Sequence, residues 1–210
     1  MARTLILGGA RSGKSTRAEQ LLLAHPDVLY VATGGTREGD VEWAQRVALH
    51  RERRPAGWRT AETVELDRIL ADREDPAPVL VDCLGLWLTA VMDRANAWDD
   101  GNWARFSEAA VTKRCTELAE AVRLTHRQVV LVSNEVGMGV VPATAAGRRF
   151  RDTLGRLNMA VAEAADRVLL VVAGQVLAIK DAAPTDAVPV NDAVPVNDAV
   201  PVNDAVPRTP

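Results

Sequence analysis

The segment "GGARSGKS" contains the residues with the most definite chemistry in the chain. It fits the pattern G-x-x-x-x-G-K-[ST] and lies between a predicted strand, "TLILGG", and a predicted helix, "GKSTRAEQLLLAH". The glycines let backbone N–H groups face phosphate oxygens, and the helix N-terminus adds partial positive charge. Lys14 would reach the β- and γ-phosphates, and Ser15 would coordinate Mg²⁺. The pattern predicts a nucleotide-binding P-loop formed by Gly8, Gly9, Ala10, Arg11, Ser12, Gly13, Lys14 and Ser15; a chance glycine-rich turn is the alternative.

Two carboxylates end apolar runs that are typical of strands. Asp82 closes "VLVD", the arrangement in which P-loop proteins hold the water shell of a bound metal. A lone aspartate at a strand end also serves as an ordinary turn or cap residue. Glu135 follows the run in "LVSNEVGMG", where it can orient a substrate hydroxyl, assist the metal, or simply begin a polar loop.

The third candidate is His50, in "VALHRERRPAGW". A helix is predicted over residues 39–54 and ended by Pro55. On it, Arg46, His50 and either Arg53 or Arg54 share one face. This face has two interpretations. It is either a solvated basic surface, or a phosphate grip beside a neutral histidine that attacks phosphorus and forms a covalent intermediate. His25 and His126 lie at predicted helix ends without such neighbours, and we expect them to be structural.

Apolar runs alternate with amphipathic stretches along residues 1–180. The predicted strands are "TLILGG", "DVLYVAT", "PVLVDCLG", "QVVLVSNEVG", "RVLLVVAG" and "QVLAIK". Helices are predicted after the P-loop, over 39–54, in "LWLTAVMDRAN", over 103–125 and over 145–165. Continuously apolar strands separated by helices indicate a mostly parallel sheet covered on both faces. The predicted class is α/β, doubly wound.

The last thirty residues differ in composition from the rest. The unit DAVPVN recurs from Asp186, and its regular prolines and lack of large side chains predict a disordered or polyproline-like tail over 181–210. A hexapeptide β-helix is the alternative, but it needs more coils and larger inward residues. We therefore expect one domain, 1–180, that ends near Lys180.

Composition limits the classes of partner. The net charge is −3, but residues 181–210 contain five aspartates and one arginine, so residues 1–180 carry about +1. This balance gives no reason to expect a nucleic-acid partner. We expect no signal peptide and no membrane span, because apolar runs of the required length are missing. Cys83 and Cys115 form no metal or disulfide pattern, which favours a cytoplasmic protein, and Cys83 reads as a core residue rather than a nucleophile.

Several blocks together resemble one enzyme family. "GGARSGKS", "YVAT", "ALHRERRPAGWRTAE", "VLVDCLGLW", "SNEVGMGVVP" and "GRRFRDTLGRLNMAVAEAADRVLLVVAG" have the order and spacing of the bifunctional adenosylcobinamide kinase/adenosylcobinamide-phosphate guanylyltransferases of cobalamin biosynthesis. The resemblance covers about residues 4–180. It implies a RecA-like nucleotide-binding core and two reactions: ATP or GTP phosphorylates adenosylcobinamide, and GMP is then transferred from GTP to that phosphate to give adenosylcobinamide-GDP.

The resemblance also assigns residues. It implies that His50 carries GMP as a guanylyl-histidine. It implies nucleotide contacts by the P-loop and by Thr33, Gly34, Gly35, Arg51, Glu52, Arg53, Arg54, Glu62 and Asp82. Mg²⁺ would be held by Ser15 and, through water, by Asp82. Members of the family assemble as homo-oligomers such as trimers, with the active site near a subunit boundary. Two alternatives stay open: a P-loop kinase for another small hydroxylated metabolite, and a non-catalytic nucleotide-binding regulatory module.

Overall fold

The computed structural model describes residues 2–35, 39–41, 45, 47–48, 51 and 54–181. One seven-stranded sheet has the order β3-β2-β4-β5-β1-β6-β7. Six strands are parallel, and β7 pairs antiparallel with β6. The strands are β1 (Arg3–Gly8), β2 (Leu29–Ala32), β3 (Arg59–Glu62), β4 (Val79–Asp82), β5 (Val129–Asn134), β6 (Arg167–Val172) and β7 (Gln175–Asp181).

Helices connect the parallel strands. They are α1 (Lys14–Gln20), α2 (Leu66–Ala71), α3 (Leu84–Arg94), α4 (Glu108–Leu124) and α5 (Ala145–Ala164). A short helical turn and a π-helical turn, Asp100–Asn102 and Trp103–Ser107, lead into α4. None of the helices described is long and apolar enough to cross a bilayer.

Alternate residues of the strands form two cores, one on each face of the sheet. On β1, Leu5 packs into the core that α2, α3, α4 and α5 cover. Its neighbour Ile6 packs into the opposite core, with Ala18 of α1 and Trp58. Both faces of the central strands are therefore buried, which explains their continuous apolar sequences. The predicted α/β, doubly wound class is confirmed.

The structure adds two elements that the sequence analysis did not predict. β3 has the sequence "RTAE", which lacks an apolar run, and α2 is a helix of six residues. β3 is an edge strand, so its backbone pairs with β2 while its side chains are mostly exposed. Half of the predicted helix over 39–54 lies outside the described residues, but the backbone at residues 41, 45, 47, 48 and 51 is helical.

Candidate nucleotide-binding site

The P-loop connects β1 to α1 at the carboxyl edge of the sheet. Gly13 adopts a left-handed conformation, with φ of 93°, immediately before α1, and Arg11 has φ of 56°. The N-cap residue Gly13 has no side chain to cap the first turn of α1, and N–H groups at a helix N-terminus are suited to bind phosphate oxygens. The buried Lys14 side chain donates from Nζ to the carbonyl of Gly9 at 2.8 Å. The lysine amine therefore lies over the loop where the phosphates of a nucleotide would bind.

Gly8 and Ser12 make the base of this loop compact. A Cβ atom at Gly8 would lie 2.5 Å from both the Ser12 hydroxyl and the Val171 carbonyl on β6, so only glycine fits there. The Ser12 hydroxyl is buried and has no hydrogen-bond partner among the described residues. A buried hydroxyl without a partner costs free energy, and a bound phosphate oxygen would supply the missing acceptor.

The end of β5 lies between the P-loop strand and β4. The backbone N–H of Glu135 donates to the carbonyl of Gly8 at 3.0 Å, which joins the "SNEVGMG" segment to the first P-loop residue. The Glu135 carboxylate accepts a hydrogen bond from the Gly137 backbone at 2.8 Å. On the other side, Asn158 of α5 donates to the Asn134 carbonyl at 3.1 Å. These bonds join the end of β5 to the P-loop on one side and to α5 on the other.

Asp82 ends β4 at the same edge, as predicted. Its Oδ2 accepts a hydrogen bond of 2.9 Å from the hydroxyl of Tyr30, which lies on the adjacent strand β2. Tyr30 is buried, and the pKa of its hydroxyl is raised, first by burial and then by the negative charge of Asp82. The phenol therefore stays protonated and acts as the donor. The sequence analysis did not identify Tyr30, because its contact spans 52 positions in the chain.

Thr33 joins the ends of β2 and β4. Its hydroxyl donates to the Cys83 carbonyl at 2.7 Å and accepts from the Cys83 backbone N–H at 3.0 Å. This side chain is buried and already makes two hydrogen bonds, so its contribution within the described residues is to position the backbone next to Asp82. Direct contact of Thr33 with a nucleotide stays a prediction, as does contact by Gly34 and Gly35.

Asp82 and Lys14 both lie close enough to Cys83 to affect the pKa of its thiol. Burial, followed by the charge of Asp82, raises the pKa of the Cys83 thiol to about 11, and the positive charge of Lys14 opposes this rise. The thiol is therefore protonated at neutral pH and is a poor nucleophile. Cys83 belongs to the buried core, in agreement with the sequence analysis. The P-loop lysine and the β4 aspartate thus act on the same buried group.

The segment that follows residue 50 reaches this edge through two arginines. The guanidinium carbon of Arg54 lies 3.6 Å from the centre of the Tyr30 ring. Arg54 also donates to the Thr60 hydroxyl at 3.0 Å. Arg51 makes an ion pair of 2.5 Å with Glu62 at the end of β3. The structure thus brings together three of the predicted nucleotide contacts, Arg51, Arg54 and Glu62.

Trp58 fixes the direction of this segment. Its ring is buried in the same core as Tyr30, and its indole N–H donates to the His25 carbonyl at 3.2 Å. His25 thus contributes through its backbone, which fits the structural role expected for it. His50, Glu52 and Arg53 lie outside the described residues, so the proposed nucleophile and two of its neighbours stay predictions.

The side chains at this edge have the chemistry that Mg²⁺ requires. Asp82 offers a carboxylate, and Ser15 offers a hydroxyl at the first turn of α1. Mg²⁺ prefers hard oxygen ligands and is commonly bound through one or two protein oxygens plus phosphates and water. The two residues therefore fit the predicted metal.

A strand, a P-loop and a helix, with an acidic residue at the end of a nearby parallel strand, define a P-loop nucleotide-binding protein. Within that class, the family model for cobinamide kinase/cobinamide phosphate guanyltransferase matches residues 4–179, and the chain belongs to this family. The family predicted from the sequence is confirmed.

Two relatives are similar to this chain over almost their whole length. The bifunctional adenosylcobalamin biosynthesis protein CobU of Salmonella typhimurium is 41% identical over 180 residues, which cover 84% of this chain and 98% of the relative. The corresponding protein CobP of Pseudomonas aeruginosa is 41% identical over 181 residues, which cover 85% and 97%. Among solved structures, an ATPase of a type III secretion system aligns with a TM-score of 0.45 and 14% identity, over 80% of this chain and 50% of that one.

Proposed function

We propose that this protein phosphorylates adenosylcobinamide with ATP or GTP and then transfers GMP from GTP to adenosylcobinamide phosphate, through a guanylyl-histidine at His50. Membership of the cobinamide kinase/guanyltransferase family supports the two reactions and their substrates. The structural observation that carries the proposal is the position of Arg54. It stacks on Tyr30 beside Asp82 and so brings the segment after His50 to the edge that holds the P-loop.

In the kinase step, the aminopropanol hydroxyl oxygen attacks the γ-phosphorus, and the bond from that phosphorus to the β-phosphate oxygen breaks. Lys14 and the P-loop N–H groups stabilise the charge that develops on the leaving nucleoside diphosphate. Mg²⁺ would be held by Ser15 and, through water, by Asp82, and would neutralise phosphate charge. The hydroxyl proton passes to solvent or to Glu135, whose backbone is joined to Gly8.

In the transferase step, the imidazole nitrogen of His50 attacks the α-phosphorus of GTP, and pyrophosphate leaves. A phosphate oxygen of adenosylcobinamide phosphate then attacks the same phosphorus and breaks the P–N bond. Arg51 and Arg54 lie just after His50 and are suited to bind phosphate oxygens. The remaining contacts that we propose, by Glu52, Arg53, Thr33, Gly34 and Gly35, follow from the family resemblance.

The covalent step can be tested with GTP that is labelled at either the α- or the γ-phosphate. The protein is incubated with Mg²⁺ and denatured, and the retained label is counted. We expect retention of the α-label only, in an acid-labile and alkali-stable bond, and its loss in His50→Ala. His126→Ala is the matched control, because His126 is exposed and lies before β5 at the opposite edge.

Absence of α-label on the wild type would contradict the covalent mechanism. Phosphorylation of adenosylcobinamide without any α-label would support a kinase alone. Binding of nucleotide without either reaction would support the regulatory module.

Two further parts of the proposal concern the cellular location and the oligomeric state of the enzyme. We propose a cytoplasmic protein, which is supported by its two free cysteines, Cys83 and Cys115. We also propose a homo-oligomer, such as the trimer implied by the family resemblance, with the active site near a subunit boundary. Light scattering combined with gel filtration measures the mass in solution, and a monomer with both activities would contradict this part.

A further inference from the structure

Tyr30 contacts one residue proposed for each of the two reactions, Asp82 and Arg54. It is the only tyrosine in the sequence, and 4% of its surface is exposed. The side chain extends from β2 into the core that α1 covers, while β2 pairs with both β3 and β4. The hydroxyl of Tyr30 therefore reaches Asp82 on β4, and the face of its ring contacts Arg54 in the segment that precedes β3.

The hydroxyl end acts on Asp82. It donates to Oδ2 at 2.9 Å, which leaves Oδ1 as the oxygen without a bond to Tyr30. A carboxylate that must accept hydrogen bonds from metal-bound water works best when its orientation is fixed by a second group. Tyr30 is well suited to this because burial keeps its own side chain in one place.

The ring end acts on Arg54. A guanidinium carbon 3.6 Å from the ring centre is close enough for a cation–π contact, which is strong when the partners are shielded from water. Arg54 lies four positions after His50, and it is followed by a turn, closed by a hydrogen bond from the Trp58 N–H to the Pro55 carbonyl, that leads to β3 and in which the Trp58 side chain is buried. The ring of Tyr30 is thus a direct contact between the sheet and the segment that carries His50.

We infer that Tyr30 is a positioning residue for both reactions: its hydroxyl orients Asp82 for the metal site, and its ring holds Arg54 for guanylyl transfer. The inference rests on the proposed function. It goes further because it assigns two separable tasks to one buried side chain.

The two tasks can be separated by substitution. Tyr30→Phe removes the hydroxyl and keeps the ring, whereas Tyr30→Leu removes both. Arg54→Lys keeps the positive charge but loses the planar group that stacks on the ring. The matched control is Thr125→Val, which deletes a hydroxyl that donates to the Leu70 carbonyl at 2.8 Å, before β5 at the opposite edge of the sheet.

The first measurement follows the metal directly. Binding of Mn²⁺ to the complex of the protein with a non-hydrolysable GTP analogue is measured by electron paramagnetic resonance. We expect Tyr30→Phe to weaken Mn²⁺ about tenfold, the lower end of the effect of removing a group that orients a metal ligand. The Mg²⁺ concentration that gives half the maximal rate of γ-phosphoryl transfer should rise by a similar factor. Thr125→Val should change neither value.

The second measurement tests the contact between the Tyr30 ring and Arg54. At saturating Mg²⁺ we expect Tyr30→Phe to retain α-label on His50 at a rate within about threefold of wild type, because the ring that contacts Arg54 is kept. Tyr30→Leu and Arg54→Lys should slow the same labelling about tenfold. Loss of stability alone would instead lower both reactions together, in proportion to the fraction unfolded.

The inference is overturned if Tyr30→Phe binds Mn²⁺ as wild type does, or if Tyr30→Leu labels His50 as fast as Tyr30→Phe. Asp82→Asn shows which idea has failed. If it weakens Mn²⁺ and Tyr30→Phe does not, only the role of Tyr30 is wrong. If Asp82→Asn has no effect either, the proposed metal site is wrong and the Tyr30 inference falls with it. If wild type forms no guanylyl-histidine, the transferase mechanism is wrong, whereas the Mn²⁺ measurement still decides the task of the hydroxyl.

Discussion

Thr33 and Cys83 are joined by two hydrogen bonds through one hydroxyl, which donates to the Cys83 carbonyl at 2.7 Å and accepts from its N–H at 3.0 Å. The pair connects the residue after β2 to the residue after β4, 50 positions apart. Because Asp82 immediately precedes Cys83, this contact helps to set the direction in which the aspartate leaves the strand.

Thr33→Val keeps the shape of the side chain but leaves the buried N–H of Cys83 without its partner. We expect a loss of about 1–3 kcal/mol in the free energy of unfolding, the usual cost of an unpaired buried group. We also expect weaker Mg²⁺-dependent nucleotide binding. Thr33→Ser retains the hydroxyl and should recover most of both properties. Denaturant unfolding and titration with nucleotide measure them, and equal losses in the two variants would contradict the role of the hydroxyl.

Gly8→Ala should abolish nucleotide binding or prevent folding, because the added Cβ would lie 2.5 Å from the Val171 carbonyl. Gly155→Ala on α5 is the matched control. A Cβ there meets no atom within 4 Å, and alanine is favoured over glycine in a helix by about 0.5–1 kcal/mol. The two substitutions should therefore change thermal stability in opposite directions. A stable Gly8→Ala protein that binds GTP normally would refute the close contact.

Glu62→Gln removes the charge that pairs with Arg51. More than half of the Arg51 side chain and 41% of the Glu62 side chain are exposed, so we expect a change in unfolding free energy below about 1 kcal/mol. Labelling of His50 by α-labelled GTP should nevertheless slow about tenfold, since one charge-assisted bond no longer orients Arg51. Glu120→Gln breaks a similarly exposed pair with Arg123 on α4 and should leave labelling unchanged. Equal labelling in both variants would remove Glu62 from the site.

Asp166 should make folding stability depend on pH in the acid range. Three donors of Arg3 bind its carboxylate, at 2.8, 3.0 and 2.6 Å, and this interaction lowers the pKa of Asp166 from 3.8 to about 2. The folded protein thus binds the proton less readily, so the stabilisation is present above pH 4 and is lost as the pH falls toward 2. After allowance for solvent screening, we expect Asp166→Asn to cost about 1–2 kcal/mol at pH 7. Urea unfolding at several pH values should show this difference disappear near pH 2; a constant difference would contradict the assignment.

The proposed division between domain and tail can be tested by truncation. The structure extends β7 to Asp181, one residue beyond the predicted end of the domain, and Asp181 pairs with Arg167 at 3.1 Å. A chain that ends at Asp181 should keep both activities within about twofold, because β7 and its pairing with β6 are intact. A chain that ends at Gly174 loses β7 and should unfold at a lower temperature. A large loss of activity in the longer chain would give the DAVPVN repeat a function.

The sequence by itself determined the features whose causes are local. The P-loop is a continuous pattern between a strand and a helix, and the apolar strands indicated the buried parallel sheet because both of their faces meet core. The blocks shared with the family were also continuous, and the family model later matched the same region. Asp82 could be chosen because it ends an apolar run, without knowledge of its neighbours.

Only the tertiary structure decided which of these features meet. β3 was not predicted, because "RTAE" has no apolar run and becomes a strand only by pairing with β2. The order of the strands places β2 beside β4, and this adjacency brings Tyr30 to Asp82 and Thr33 to Cys83. Neither contact leaves a sign in the spacing of residues, because hydrogen bonds between strands depend on which strands are neighbours and in what register. The chemistry of the site could therefore be predicted residue by residue, whereas the contacts that orient it depend on the sheet.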